Sequence, residues 1–297
     1  MYLPYFRCKG EEINSLIAVS KEIFKNTLPI LEPIGISKVP VNKFKKIIQA
    51  NIPFVLIINP QINEISMQKI IETYINGLLS SYSNYSIAYI IHSKSTQKEV
   101  ETFLSIPNLE KSFIHNREIQ NTDIINVETK FQIFNDKKVS PVYISDFDSN
   151  NKVILTDGFD KLSRNADYPS KSFFSDKHLN YKKENFIGVA DFLIQGDNFS
   201  ESGGAAYAVA IHLTTENSKG VYINHFISDN REGKSRTAEK FMEALNHLVS
   251  YINSNPIIQT SGLVDYNDLY NRQHFPGLGV NKRIALKHHL ETISSII

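Results

Sequence analysis

The sequence predicts an α/β fold: a TIM-like (β/α) barrel, irregular in its second half, with an antiparallel hairpin and C-terminal helices. Three observations lead there. Apolar strand segments alternate with amphipathic helical segments over the first 116 residues, the pattern of parallel strands covered on both faces. These strands end in polar residues, as the site-bearing rim of a closed barrel does. The length of 297 residues exceeds the ~250 of one α/β barrel by a modest elaboration.

The strand segments of the first half are YLPYF (2–6), LPILEPI (28–34), FVLII (54–58), IAYII (87–91) and SFIHN (112–116). Between them lie helical segments. EEINSLIAVSKEIF (11–24) places Ile13, Leu16, Ile17 and Ile23 at helical spacing,. VNKFKKIIQA (41–50) is a short amphipathic helix. ISMQKIIETYINGLLSSY (65–82) gathers Ile70, Ile71, Ile75, Leu78 and Leu79 on one side, and STQKEVETFL (95–104) carries Ser95 or Thr96 as its N-cap,. An open doubly wound sheet satisfies the same alternation. The strand ends favour the barrel: Arg7, Glu32, Asn59, His92, and His115 with Asn116 fall at the same end of five successive strands,. Glu32 is the strongest case, because Pro33 and Ile34 follow it as if still in the wall.

Beyond residue 117 the rhythm blurs. KFQIF (130–134), VYISDF (142–147) and VILTDGF (153–159) all read as strands, and the DSNN turn signal predicts a hairpin between the last two,. VADFLIQGD (189–197) is another apolar segment, and GGAAYAVAIHLTTENSKGVYINHFI (203–227) predicts a long antiparallel hairpin around TENSKG,. Helices are expected over 237–254, 264–272 and 281–296, and HFPGLG (274–279) reads as the loop joining the last two. The expected organisation is one barrel-like domain over 1–297, regular over 1–116 and elaborated over 117–297.

Composition narrows the function classes. Lys and Arg number 32 and Asp and Glu 31, a formal net charge of +1, which does not favour a broad duplex nucleic-acid footprint. The single cysteine, Cys8, allows no internal disulfide and fits a reducing cytoplasm,; beside an apolar strand it reads as a packing group. The opening MYLPYFRCKG lacks the apolar segment of a secretory leader, and runs such as FVLII fall far short of the ~20 residues of a membrane span. A cytoplasmic protein with no membrane association is therefore expected. No glycine-rich GxGxxG or Walker-type loop follows any strand, which argues against a dinucleotide or P-loop nucleotide site,.

Candidate site residues concentrate in TDGFDKLSRNADYPSKSFFSDKH (156–178). Asp157 ends a strand. Arg164, Asn165 and Asp167 follow in an irregular segment bounded by Pro169. Either these side chains tie turns, with Arg164 in an ion pair, or the Arg164 fork holds a phosphate or carboxylate. Asp191 lies inside an apolar strand and must be paired or protonated there, Arg164 and Lys9 being candidate partners,. Asp197, after Gly196, is placed as a strand-end acid. Together with Glu32 it could perform general acid/base work or share a divalent metal.

The remaining candidates are weaker. Gly203 and Gly204 precede a strand and suit a turn or a phosphate nest, and Ser200 and Ser202 lack the G-x-S-x-G context of a hydrolase,. Of nine histidines, His212 and His225 sit where the two hairpin strands could bring them face to face, and His288 and His289 share the last helix. None has metal-ligand spacing, so each reads as a packed or surface residue.

MYLPYFRCKGEEINSL followed by LPILEP resembles the start of the phage-type Beta protein family, with Lys9, Glu12 and Glu32 at the matching positions. DGFDKLSRNADYP, the Gly-Asp of LIQGDNFSESGGAAYAVAIH, and HFPGLG resemble a bacterial branch of that family, in the same order. Ala205 departs from the Gly-Pro that relatives carry before the Ala-Tyr-Ala strand. The resemblance implies a barrel-like fold. For the bacterial branch it implies a mobile-element or phage-defence setting beside a nuclease-like companion gene. It carries no activity.

The combined expectation is a barrel protein that binds or acts on a phosphate-bearing ligand at the C-terminal mouth of its strands. Glu32, Asp157, Asp167 and Asp197 are the candidate catalytic residues, and Lys9, Arg164 and Asn165 the candidate ligand contacts, with a divalent metal an open option. The alternative is a non-catalytic binding or regulatory partner of the nuclease-like companion.

Overall fold

The computed structural model describes residues 1–63, 65–147, 149–199 and 207–297. The chain runs β1 (Tyr2–Phe6), α1 (Gly10–Ala18), β2 (Ile30–Leu31), α2 (Lys38–Gln49), β3 (Phe54–Ile57), α3 (Met67–Ile70, continued as a π-helix over Ile71–Leu78) and β4 (Tyr85–Ile91). Next come α4 (Gln97–Leu104), β5 (Lys111–His115), β6 (Phe131–Asn135), α5 (Pro141–Ser145), β7 (Lys152–Thr156), β8 (Lys171–Ser175) and the single turn α6 (Lys177–Asn180). The remainder is β9 (Gly188–Asp191), β10 (Ala210–Asn217), β11 (Gly220–Ile227), α7 (Thr237–Ser254), α8 (Ser261–Asn271) and α9 (Leu278–Ile296).

These elements fall into two compact units. The first comprises residues 1–13, 24–157 and 180–192. Its strands form a closed parallel barrel in the order β1-β2-β3-β4-β5-β6-β7-β9. Leu3 lies opposite Ala190, and this parallel pairing of β1 with β9 closes the ring. Alternate residues fill the interior: Leu3 and Tyr5, Val55 and Ile57, Ala88 and Ile90, Ile133 and Leu155 share one buried cluster. The intervening residues pack outward against the helical layer, so strands such as FVLI are buried throughout,. The expected helix at 95–104 starts from Thr96, whose side chain accepts from Glu99 N while the Glu99 carboxylate accepts from Thr96 N, a reciprocal cap.

Two expectations for residues 117–160 are corrected. VYISDF is not a strand: Pro141–Ser145 is helix α5. Ser140 Oγ accepts from Tyr143 N at 3.3 Å and Pro141 occupies the first turn. A side-chain cap followed by proline starts a helix and overrides the β-branched and aromatic content. The expected hairpin is therefore absent, and β6 pairs with β7 in parallel, both in the barrel wall.

The second unit comprises residues 14–23, 158–179 and 193–297. The expected hairpin forms as β10 and β11, and β8 joins β11 to give an antiparallel sheet of order β10-β11-β8. Ile211 and Leu213 pack with Phe241, Leu245 and Leu248 of α7, Leu263 and Tyr266 of α8, and Ile284 of α9. The Gly262 Cα lies so near α9 that a Cβ there would stand 2.8 Å from the His288 Cβ.

Helix α9 also covers the outer edge of β10. Asn281 Nδ2 donates to the Ala210 carbonyl (3.3 Å), and His288 Nε2 donates to the Thr214 carbonyl (2.7 Å). With Nε2 protonated, Nδ1 of His288 accepts from Thr260 Oγ1 at 2.7 Å,. Two carbonyls of a terminal strand are thereby paired within the unit,. Among the described residues, no helix is long and apolar enough to cross a membrane.

Candidate functional site at the barrel mouth

The alternation that points Leu3 and Tyr5 inward along β1, and Ile30 inward along β2, brings Arg7 and Glu32 next at the C-terminal rim. The two side chains are 11% and 3% exposed, with Arg7 Nε 3.8 Å from Glu32 Oε2. Glu32 is fixed further by the Tyr5 hydroxyl, which donates to Oε2 at 2.8 Å, and by Gln61 N, which donates to Oε1 at 2.7 Å. The Arg7 backbone N–H donates to Glu12 Oε2 at 2.8 Å, and Glu12 is itself buried. The Arg7 guanidinium carbon lies 5.8 Å from the Tyr5 ring centre and 5.3 Å from that of Phe192. Those rings pack 4.9 Å apart. Strand ends, aromatic faces and a buried carboxylate thus hold the guanidinium in place.

Cys8 follows Arg7 in a left-handed backbone conformation, φ 48°. Burial pushes its thiol well above the usual range, and Glu12 and Glu32 push it further. A thiol so disfavoured as thiolate is a packing group, as its position beside β1 suggested.

The rim continues with amides and acids. Asn59 bridges to β4, donating to the Ile90 carbonyl and accepting from Ile90 N, each at 2.8 Å. Asn135 Nδ2 donates to Asn116 Oδ1 at 3.1 Å. Thr156 Oγ1 donates to Asp136 Oδ2 at 2.8 Å, and half-buried Asp157 follows at the end of β7.

His115 is a correction to the expected rim. Because successive strand residues face opposite ways, only one of His115 and Asn116 can face the mouth, and His115 packs in the outer layer. Its ring stacks on Phe134 at 4.3 Å, with Nε2 2.8 Å from Gln132 Oε1 and Nδ1 3.0 Å from the Tyr143 hydroxyl. Burial pushes it down to about 4, with the Gln132 hydrogen bond opposing.

The residues singled out from the sequence divide between the units. Lys9, Glu32 and Asp157 belong to the barrel; Arg164, Asn165, Asp167 and Asp197 belong to the second unit. Lys9 is half-buried, and its carbonyl accepts from Ile13 N at 3.0 Å as α1 begins. Arg164 Nε and Nη2 donate to the two carboxylate oxygens of Asp167 at 2.8 and 2.7 Å. The side chains of that pair are 75% and 39% exposed. The hydrogen bond from Arg164 holds the Asp167 carboxyl below its ordinary value. Asn165 Nδ2 donates to the Ala208 carbonyl at 2.8 Å. Asp197 is half-buried after Gly196, whose φ is 71°.

Gly158, in the same stretch, is dictated by space: a Cβ there would lie 2.3 Å from the Phe174 carbonyl oxygen. Ser200, Ser202, Gly203, Gly204 and Ala205 lie outside the described residues.

Asp191, buried as expected, accepts from the Tyr2 hydroxyl at 2.9 and 3.0 Å. Burial and that carboxylate push the phenol well above its usual value. Tyr2 gave no distinctive sequence signal, because any aromatic suits the first position of a buried strand. Arg7 did give one, as a cation ending the first strand, but its aromatic flanks come from β1 and from Phe192, far away in the chain.

In the second unit His212 and His225 do face each other across the hairpin, Nδ1 to Nδ1 at 2.7 Å. His288 and His289 are buried, the latter with Nδ1 2.8 Å from Thr214 Oγ1. Among the described residues, no group of three or more His, Cys, Asp or Glu side chains is placed to hold a metal ion. Comparison with protein-family models, with curated proteins and with solved structures finds no match to this chain.

Proposed function

We propose that the protein is a cytoplasmic barrel of a bacterial defence or mobile-element module, of the kind the Beta-type resemblance implies, and that it binds a phosphate-bearing ligand at the C-terminal mouth. The observation that carries this reading is Arg7. Its guanidinium stands at the end of β1, to one side of the packed Tyr5 and Phe192 rings and beside Glu32. A planar fork held before a ligand arrives loses little freedom on binding an anion. Glu32, fixed by Tyr5 and Gln61, balances that charge and is the acid nearest the bound group. In the catalytic form of the proposal, Glu32 and Asp157 supply proton transfer.

The test is thermal unfolding with inorganic phosphate and with a nucleoside triphosphate, each with and without Mg²⁺. Wild type and Arg164→Ala are expected to be stabilised, and Arg7→Met not. Absence of any shift in wild type, or an equal shift in Arg7→Met, defeats the reading.

A second reading is a non-catalytic partner of a nuclease-like protein. It is favoured by the way Arg164, Asp167 and Asn165 are engaged with their own unit. Co-purification of the two proteins, with no phosphate effect on either, is the outcome that supports it.

A further inference from the structure

The sheet of the second unit holds a cluster of its own. Its strands lie in the order β10-β11-β8, and each contributes one side chain. His212 of β10 is directly opposite His225 of β11. Ser172 of β8 is opposite Ile223, which places it diagonal to His225 on the same face of the pleat. Ser172 Oγ is 2.9 Å from His225 Nε2, and His225 Nδ1 is 2.7 Å from His212 Nδ1. Both nitrogens of the central imidazole are therefore engaged, one by a hydroxyl and one by a second imidazole.

We propose that Ser172, His225 and His212 form a nucleophile–base–orienter relay that accepts acyl groups from small carboxylic esters. A hydroxyl within hydrogen-bond reach of a base, itself oriented by a third group, is the arrangement that activates a serine. With Nδ1 of His225 protonated toward His212, Nε2 is the acceptor that Ser172 needs. Tyr168 holds that orientation, its ring stacked on His225 at 4.7 Å and 19°. Phe159 packs edge-on against His212 at 5.2 Å. Ser172 and His212 both keep partial contact with solvent. Burial keeps both imidazoles in the free-base form at neutral pH, His225 pushed down to about 4.

The chemistry balances without a cofactor. Ser172 Oγ bonds to the acyl carbon as its proton passes to His225 Nε2. The ester C–O bond breaks, and the leaving alkoxide takes that proton. Water then attacks the acyl-serine, gives a proton to Nε2, and releases the carboxylic acid as Ser172 is reprotonated.

An alkyl fluorophosphonate probe, incubated with the full chain and mapped by peptide mass spectrometry, tests this. Labelling is expected at Ser172 and absent in Ser172→Ala. General-base assistance is worth roughly 10²–10⁴-fold, so His225→Gln should label at least ~10²-fold more slowly. Circular dichroism checks that each variant is folded. If His225→Gln does not fold, His212→Asn replaces it, with a slower rate expected. Failure of the folded wild type to label, or labelling at an equal rate in a folded histidine variant, overturns the relay. All three residues belong to the second unit and Arg7 and Glu32 to the first, and the phosphate experiment uses none of these variants, so the two outcomes are distinguishable.

Discussion

His115 makes the stability of the barrel depend on pH in a calculable way. Its ring is fully buried between Phe134, Tyr143 and Phe147, and burial lowers its value from 6.5 to about 4. The folded state therefore resists the proton that the unfolded state accepts. The contribution is at its full value above pH 6.5, declines as pH falls from 6.5 toward 4, and stays constant below that. Between pH 7 and pH 5 the unfolded imidazole becomes almost fully protonated while the folded one stays neutral, a loss of about 2 kcal/mol. Substituting glutamine removes the titration. Urea unfolding of wild type and His115→Gln, followed by far-UV circular dichroism at several pH values, should show His115→Gln less stable at pH 7, with its pH slope reduced by that amount. Equal slopes, or an imidazole carbon resonance of His115 that titrates near 6.5 in the folded protein, refute the reasoning.

Other substitutions test other parts of the structure. Gly158→Ala forces a methyl against the Phe174 carbonyl and should cost roughly 1–3 kcal/mol by denaturant titration. Tyr5→Phe keeps the ring contact with Phe192 but removes a donor from buried Glu32; a loss of about 1–3 kcal/mol is expected, with weaker phosphate binding if Glu32 moves. Arg164→Ala breaks only an exposed pair and should leave the unfolding midpoint unchanged.

The first half of the barrel was legible because its strands are short apolar runs separated by helices with their own periodicity, and each element announces itself within ten residues or so. The α5 segment misled because VYIS carries β-favouring side chains, while the signal that decides it, Ser140 and Pro141, precedes the run. β8 was missed because KSFFS is a strand only through its pairing with β11, some fifty residues later.

The site was legible in kind but not in arrangement. Polar strand ends pointed to Glu32 as a candidate, and the structure places it buried at the C-terminal end of β2. The alternation that turns His115 away from it, and the Tyr5 and Phe192 rings that hold Arg7, follow only from the closed ring. The Arg164 to Asp167 stretch was conspicuous for its polarity; in the structure Arg164 pairs with Asp167, while Asn165 ties the segment to the Ala208 carbonyl.

The cover on β10 has a consequence for how the chain is made. Ala210 and Thr214 meet their partners Asn281 and His288 only 71 and 74 residues further along. At a synthesis rate of ~5–20 residues per second, a nascent chain displays that ribbon uncapped for about 4–15 s. A holdase that shields the ribbon during this interval should raise the yield of native protein, and slowing elongation between β11 and α9 should lower it.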